Sequence, residues 1–310
     1  MLTNTKLSAV LLLILLGTAA CTGSGATAQP STGTETGTGT PDASGSDSPT
    51  PIVTAPTGIV HPTGPTEIVL RYEDVGGFTP PEWQAARLPY FTLYGDGRVV
   101  FQQTTAEVPP RADGVMVGVP LRTGILTEEQ VQELLQYALT NGGLAVAKTE
   151  YQNPMIADAP TAVFTINAEN DSKTVSAMGL GFESQPGPDT VVLKQLAALA
   201  ERLRDFDQGG TLPSDAFTAP AYRGVILEQQ GIGGVQIRDW PWADIQPSDF
   251  ATPADPNALQ QGTRTLTPEE AAAVGVEPFE NGIMGGVFLR GPDGKVYSLV
   301  VRPLLPDEKA

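Results

Sequence analysis

One cysteine, Cys21, and one histidine, His61, stand in 310 residues. With no second thiol there is no internal disulfide, so the folded part relies on its own core. A sole imidazole, in a polar stretch near the N-terminus, argues against a Ser-His-Asp triad, a Cys-His dyad and the usual zinc sites. Basic residues are scarce too. Eighteen Lys and Arg face 35 Asp and Glu, giving a net charge of -17 and a pI near 4.3. Nucleic acid is thereby disfavoured as a partner, because binding it needs Lys and Arg to neutralise phosphates. The unbroken apolar run Ala9–Leu16 is too short to span a bilayer.

That run fits a secretory leader. Lys6 precedes it, and the small residues Gly17-Thr18-Ala19-Ala20 lead into Cys21. The pattern predicts a bacterial lipoprotein signal over residues 1–20, with Cys21 as the lipidated first residue of the mature chain. Thr18 stands where a lipobox usually carries Leu. An unpaired thiol in an exported chain is otherwise hard to account for. Two acyl chains would hold the protein stably, whereas one anchors only marginally. The expected location is the extracytoplasmic face of the cell membrane, reached through lipid and not through a basic patch.

Residues 21–65 are rich in Thr, Gly, Ser and Pro and contain no aromatic residue, with Thr32-Gly33-Thr34-Glu35-Thr36-Gly37-Thr38-Gly39-Thr40 as the extreme case. Such a stretch cannot bury enough apolar surface to offset its ordering entropy and reads as a disordered tether. His61 falls at its end. The Ser and Thr hydroxyls are acceptors for O-glycans, and an unmodified spacer fits equally well.

Beyond residue 65 the pattern is α+β. Glu67–Tyr72 alternates as a strand, and Tyr90–Phe101 reads as a hairpin through Asp96-Gly97. Thr127-Glu128-Glu129-Gln130 is a capping box ahead of the apolar stripe Val131, Leu134, Leu135, Ala138. A second hairpin joins Thr161–Asn167 to Lys173–Met178, and Asp189 is the expected N-cap of a helix facing its core with Leu196, Leu199 and Leu203. After a looser stretch, 209–220, come strands at Tyr222–Glu228 and Val235–Arg238, a short helix capped at Thr267, and a hairpin from Gly286–Arg290 to Lys295–Val301. Antiparallel hairpins with amphipathic helices on one face are the expected architecture, as one unit or as two subdomains over 66–208 and 218–310.

The segments Ile68-Val69-Leu70-Arg71, Gly76-Gly77-Phe78-Thr79-Pro80, Arg87-Leu88-Pro89 and Leu93-Tyr94-Gly95-Asp96-Gly97-Arg98-Val99 occur in that order. Trp240-Pro241-Trp242 and Arg302-Pro303-Leu304-Leu305-Pro306-Asp307-Glu308 follow. Taken together, these segments resemble a family of uncharacterised bacterial secreted proteins and lipoproteins. The resemblance implies no activity, ligand or catalytic residue. It suggests only that the Asp-Gly and Arg-Pro segments mark hairpins and the C-terminal segment of a shared fold.

No catalytic residue is assigned, and no cofactor or metal is expected. The acidic turns at Asp96, Asp171 and Asp293 lack the spacing of a calcium loop. Asp239-Trp240-Pro241-Trp242-Ala243-Asp244 is the candidate binding loop, since exposed Trp beside carboxylates stacks on sugars or peptides. The same Trp residues would otherwise plug the loop against the core. The expected function is a lipid-anchored ligand-binding or protein-interaction module of the cell envelope, with an envelope glycan or protein as partner. A carboxylate-dependent glycosidase-like hydrolase and a structural or inhibitory envelope protein are the alternatives.

Changing Cys21 to Ser is expected to abolish incorporation of labelled fatty acid and to release the protein from the membrane. Unchanged labelling would refute the anchor.

Overall fold

The computed structural model describes residues 58–104, 106, 111, 115–153, 155–182, 187–207, 210–252, 261–275 and 284–309. Cys21, the leader and the tether as far as residue 57 lie outside the described residues. Among the described residues no helix is long and apolar enough to cross a membrane. Residues 54–310 form one compact unit.

In chain order the elements are β1 (Ile68–Gly76), α1 (Pro81–Ala85), β2 (Phe91–Tyr94), β3 (Arg98–Gln102), β4 (Met116–Val117), β5 (Leu121–Ile125), α2 (Glu128–Leu139), β6 (Glu150–Tyr151), β7 (Pro160–Ala168), β8 (Asp171–Met178), α3 (Thr190–Arg204), β9 (Ser214–Ala216), β10 (Tyr222–Gln229), β11 (Ile237–Asp239), β12 (Gly262–Leu266), α4 (Pro268–Ala272), β13 (Gly285–Arg290) and β14 (Val296–Pro303). They build an α+β fold of two sheets. The first sheet runs β6-β8-β7-β1-β2-β3-β5-β9 and the second β11-β13-β14-β10-β12, with β4 added beside β13. All pairings are antiparallel except β6 with β8 and β11 with β13.

Local chemistry explains the elements that were expected. The Thr127 side chain accepts from the Gln130 N–H while the Gln130 side chain accepts from the Thr127 N–H, so both halves of the capping box form. Thr267 and Glu270 repeat this device at α4. The β7–β8 turn needs only Glu169 and Asn170, at φ 53° and 60°, the left-handed pair of a two-residue hairpin. Buried Val131, Leu134, Leu135 and Ala138 of α2 and Leu196, Leu199, Ala200 and Leu203 of α3 cover one face of the first sheet, against Leu70, Tyr72, Phe91, Phe164 and Ile166.

Several expectations are corrected. Asp189 stands at the N-cap of α3 as expected, but its side chain makes no capping hydrogen bond and instead accepts from Lys148 Nζ at 2.8 Å. Within Val235–Arg238 only the segment from Ile237 is a strand, because pairing with β13 begins there. Ile59, expected within the tether, is docked on the fold, since Gln132 holds both its N–H and its C=O, at 2.7 and 2.9 Å. The looser stretch contains β9, which extends the first sheet beside β5. The halves are also interleaved, because β4 belongs to the second sheet and α1 packs on β10 and β14.

The segment after β14 ties the sheets together. Asp307 Oδ1 accepts from Arg71 Nη2 of β1 and from the Tyr94 hydroxyl of β2, each at 2.7 Å. Arg302 of β14 makes a two-pronged pair with Glu308, whose carboxylate also accepts from the Leu305 N–H. Burial alone would raise both acids, but the hydrogen bonds and charges of Arg71 and Arg302 hold Asp307 and Glu308 below the usual carboxylate range. Glu73 goes the other way. Burial, and then repulsion from Asp307 and Glu308 against the pull of Arg71, raises it.

Asp307→Ala is expected to cost about 3 to 5 kcal/mol in urea unfolding at pH 7, because it leaves Arg71 and the Tyr94 hydroxyl buried and unpaired. The Asp307 and Glu308 contributions are complete above the ordinary carboxylate pKa of about 4 and are lost as pH falls through their lowered values. Glu73→Gln should raise the Tm at pH 7, since ionising a carboxyl with a raised pKa opposes folding. That gain should vanish below about pH 4.

Candidate functional site

The loop between β1 and α1 turns on Gly76 and Gly77, both at positive φ (69° and 79°), which only glycine adopts cheaply. Four side-chain hydrogen bonds then hold it. Gln84 Nε2 donates to the carbonyls of Thr79 at 2.7 Å and Gly77 at 3.3 Å. Arg87 donates through Nη1 to the Asp74 carbonyl at 2.9 Å and through Nη2 to Thr79 Oγ1 at 3.0 Å. At the tip of this fixed loop Phe78 is 94% exposed.

Phe78 has company. Register sets Gly76 opposite Pro160, and the Gly179 N–H returns to the Pro160 carbonyl. The Phe182 N–H bonds Gly179 O, and the Asn153 side chain lies beside Gly179. Exposed Val75, Phe182 and the nearby Met155 therefore sit at the same end of the first sheet as Phe78. Single exposed apolar side chains are ordinary, whereas several gathered at one end of a sheet mark a contact surface.

Two clefts open at this end, of about 460 and 370 Å³, and Asp74 and Pro160 line both. The larger is walled by Phe78, Trp83, Arg87 and Tyr90. The smaller lies toward α3 and is walled by Tyr72, Phe182, Glu201 and Arg204. Arg204 stands at the junction. Its Nη2 donates to the Tyr72 hydroxyl at 2.5 Å and to Asp74 Oδ2 at 3.2 Å, and its guanidinium lies 4.5 Å from the centre of the Tyr90 ring. Burial first, and then the charge of Asp74, raises the Tyr72 and Tyr90 hydroxyls above the ordinary tyrosine range. Both stay protonated at neutral pH and serve as fixed donors and stacking faces, not as proton carriers.

No protein family, curated protein or solved structure matches this chain. The site is therefore read from its own chemistry.

The indoles of the aromatic loop expected to bind ligand pack inward. Trp240 meets Trp242 edge-on at 5.2 Å and lies about 6 Å from Phe250 and Tyr297. Trp240 Nε1 donates to Ile245 O at 2.6 Å and Trp242 Nε1 to Glu270 O at 2.8 Å. The rings and their polar handles are spent on closing the second sheet's core, where Trp242 is buried with Phe250, Leu266 and Val274. Asp239 and Asp244 are exposed beside this plug. Two further hollows, of about 560 and 600 Å³, are larger but carry none of the exposed aromatic side chains. His61 lines the second of these, bonded to Glu128 Oε1 at 3.2 Å. It sits near the start of β1, roughly 20 Å of strand away from Asp74. Among the described residues no group of acidic, His or Cys side chains is arranged to hold a metal.

Sequence spacing concealed the site. Asp74, Arg87 and Arg204 meet only through sheet register and helix packing. The one local signal was Phe78, held between a glycine pair and Pro80-Pro81 with no apolar periodicity to bury it.

Trp242→Ala is expected to cost about 3 to 5 kcal/mol. Phe78→Ser should stay within about 0.5 kcal/mol of the parent, as an exposed side chain does. Denaturant titration of the two variants separates plug from contact residue.

Proposed function

We propose that this chain is a lipid-anchored, extracytoplasmic ligand-binding module of the cell envelope, and that its ligand docks at the paired clefts around Asp74. The anchor half rests on Lys6, the run Ala9–Leu16 and Cys21. The binding half rests on one observation: Phe78 is 94% exposed on a loop that four hydrogen bonds fix in place. Ordering a loop costs entropy, and holding an aromatic ring in water gains nothing for folding. The arrangement makes physical sense as a preformed contact, where the ordering is complete before the ligand arrives.

The lining chemistry favours binding over hydrolysis. Asp74 is tied to Tyr72 and Arg204, and Asp205 accepts a hydrogen bond from Thr104 Oγ1 at 2.5 Å. These hydrogen bonds leave Asp74 and Asp205 fewer lone pairs to offer a reacting group. Tyr90, Tyr72 and Phe164 stack in series behind the clefts, at 5.4 and 4.9 Å, which gives the walls a rigid backing. The ligand is expected to come from the envelope or the outside medium, as a glycan, a peptide or a protein segment.

Photo-crosslinking in producing cells tests this reading. A benzophenone side chain at position 78 or 182 should yield a discrete adduct, and the same group at position 244 should not. Adducts from 244 alone, or from none of the three, would overturn it.

A further inference from the structure

Arg87 is placed for more than holding its loop. Its two hydrogen bonds go to neutral acceptors, the Asp74 carbonyl and Thr79 Oγ1. The Asp74 carboxylate, the nearest acid in the cleft wall, is committed to Arg204 and the Tyr72 hydroxyl. Glu73, next along β1, feels the Arg87 charge only through space, after burial and its stronger attraction to Arg71. Arg87 thus faces the cleft with a full charge and unused N–H groups, although the chain carries 35 acids against 18 bases. Phe78, Trp83, Tyr90 and Met284 give the cleft its apolar wall, beside the polar Asp74, Thr79 and Gln102.

Among the described residues Arg87 has no carboxylate partner, and a half-buried guanidinium so placed is a standing site for one, because charge-assisted pairing is strongest where water is partly excluded. Aromatic walls select what the carboxylate is carried on. A cleft of about 460 Å³ falls within the usual range for small-molecule and residue-sized ligands. We infer that the Arg87 cleft binds a carboxylate borne on an aromatic or aliphatic body, supplied by a small apolar acid or by the free C-terminal residue of a peptide. This inference rests on the docking site proposed above and names its ligand class. Arg87 pairs with the carboxylate, Trp83 and Tyr90 flank the body, and Phe78 closes over it from the rim.

The purified mature protein, titrated with N-acetyl-phenylalanine and with its amide, tests the charge requirement without any mutation. Indole and backbone NMR shifts at Trp83 and Phe78 are the readout. The acid should bind about tenfold or more tightly than the amide, as expected for loss of one charge-assisted pair. Arg87→Gln should abolish the difference and Arg87→Lys should keep part of it. Unfolding midpoints of both variants show whether the loop survives. An acetylated tripeptide ending in Phe, with and without its terminal carboxylate, identifies the source. Tighter binding than the single residue assigns a peptide C-terminus, and equal binding assigns a small acid. Equal affinity for acid and amide, or no shift at Trp83 with any of the four probes, would overturn the inference. Neither result touches the crosslinks at positions 78 and 182, which test the docking site independently.

Discussion

Asp307 is the contact on which the arrangement of the two sheets depends. It belongs to the segment leaving the second sheet, yet its carboxylate is held by Arg71 and Tyr94 of the first. The Arg71 and Asp307 side chains are only 14% and 16% exposed, so neither finds compensation in water if the other leaves. Beside them, Leu305 joins Tyr94, Val100, Leu121 and Phe217 in an apolar cluster between strands of one sheet and the exit of the other. The polar clamp sets direction and register, while the apolar cluster supplies most of the burial. Glu73 sits in this crowd of acids with a raised pKa, a local cost borne at neutral pH.

Past the clamp at Arg71, β1 continues to the end of the sheet through Asp74 and leads into the glycine pair. The folded unit is thus polarised along one strand. The chain enters near His61 and Glu128, and the clefts lie at the far end.

Rigidity is distributed unevenly for a reason. Trp240 and Trp242, the largest aromatic pair in sequence, are consumed in closing the smaller sheet, whose helices α1 and α4 are short and cover little. The first sheet has α2 and α3 to bury its face and can leave Phe78 and Phe182 in water. What each aromatic does is set by how much helix is available to cover the sheet next to it.

Periodicity and capping, which act within a few residues, determined α2, α3, α4, the three hairpins and the α+β class. They act through hydrogen bonds and apolar stripes that the chain carries locally. Short strands such as β4, β6 and β9 were not legible, because two or three residues hold no period and exist only through their partners. Composition determined the acidic surface and the absence of disulfides. Tertiary structure decided which side chains share a cleft. Asp74, Arg87 and Arg204 are joined by sheet register and helix packing, and Trp242 is buried by a helix contact 28 residues away. Such long-range pairings are chosen by the free energy of the whole core, which no local stretch of sequence contains.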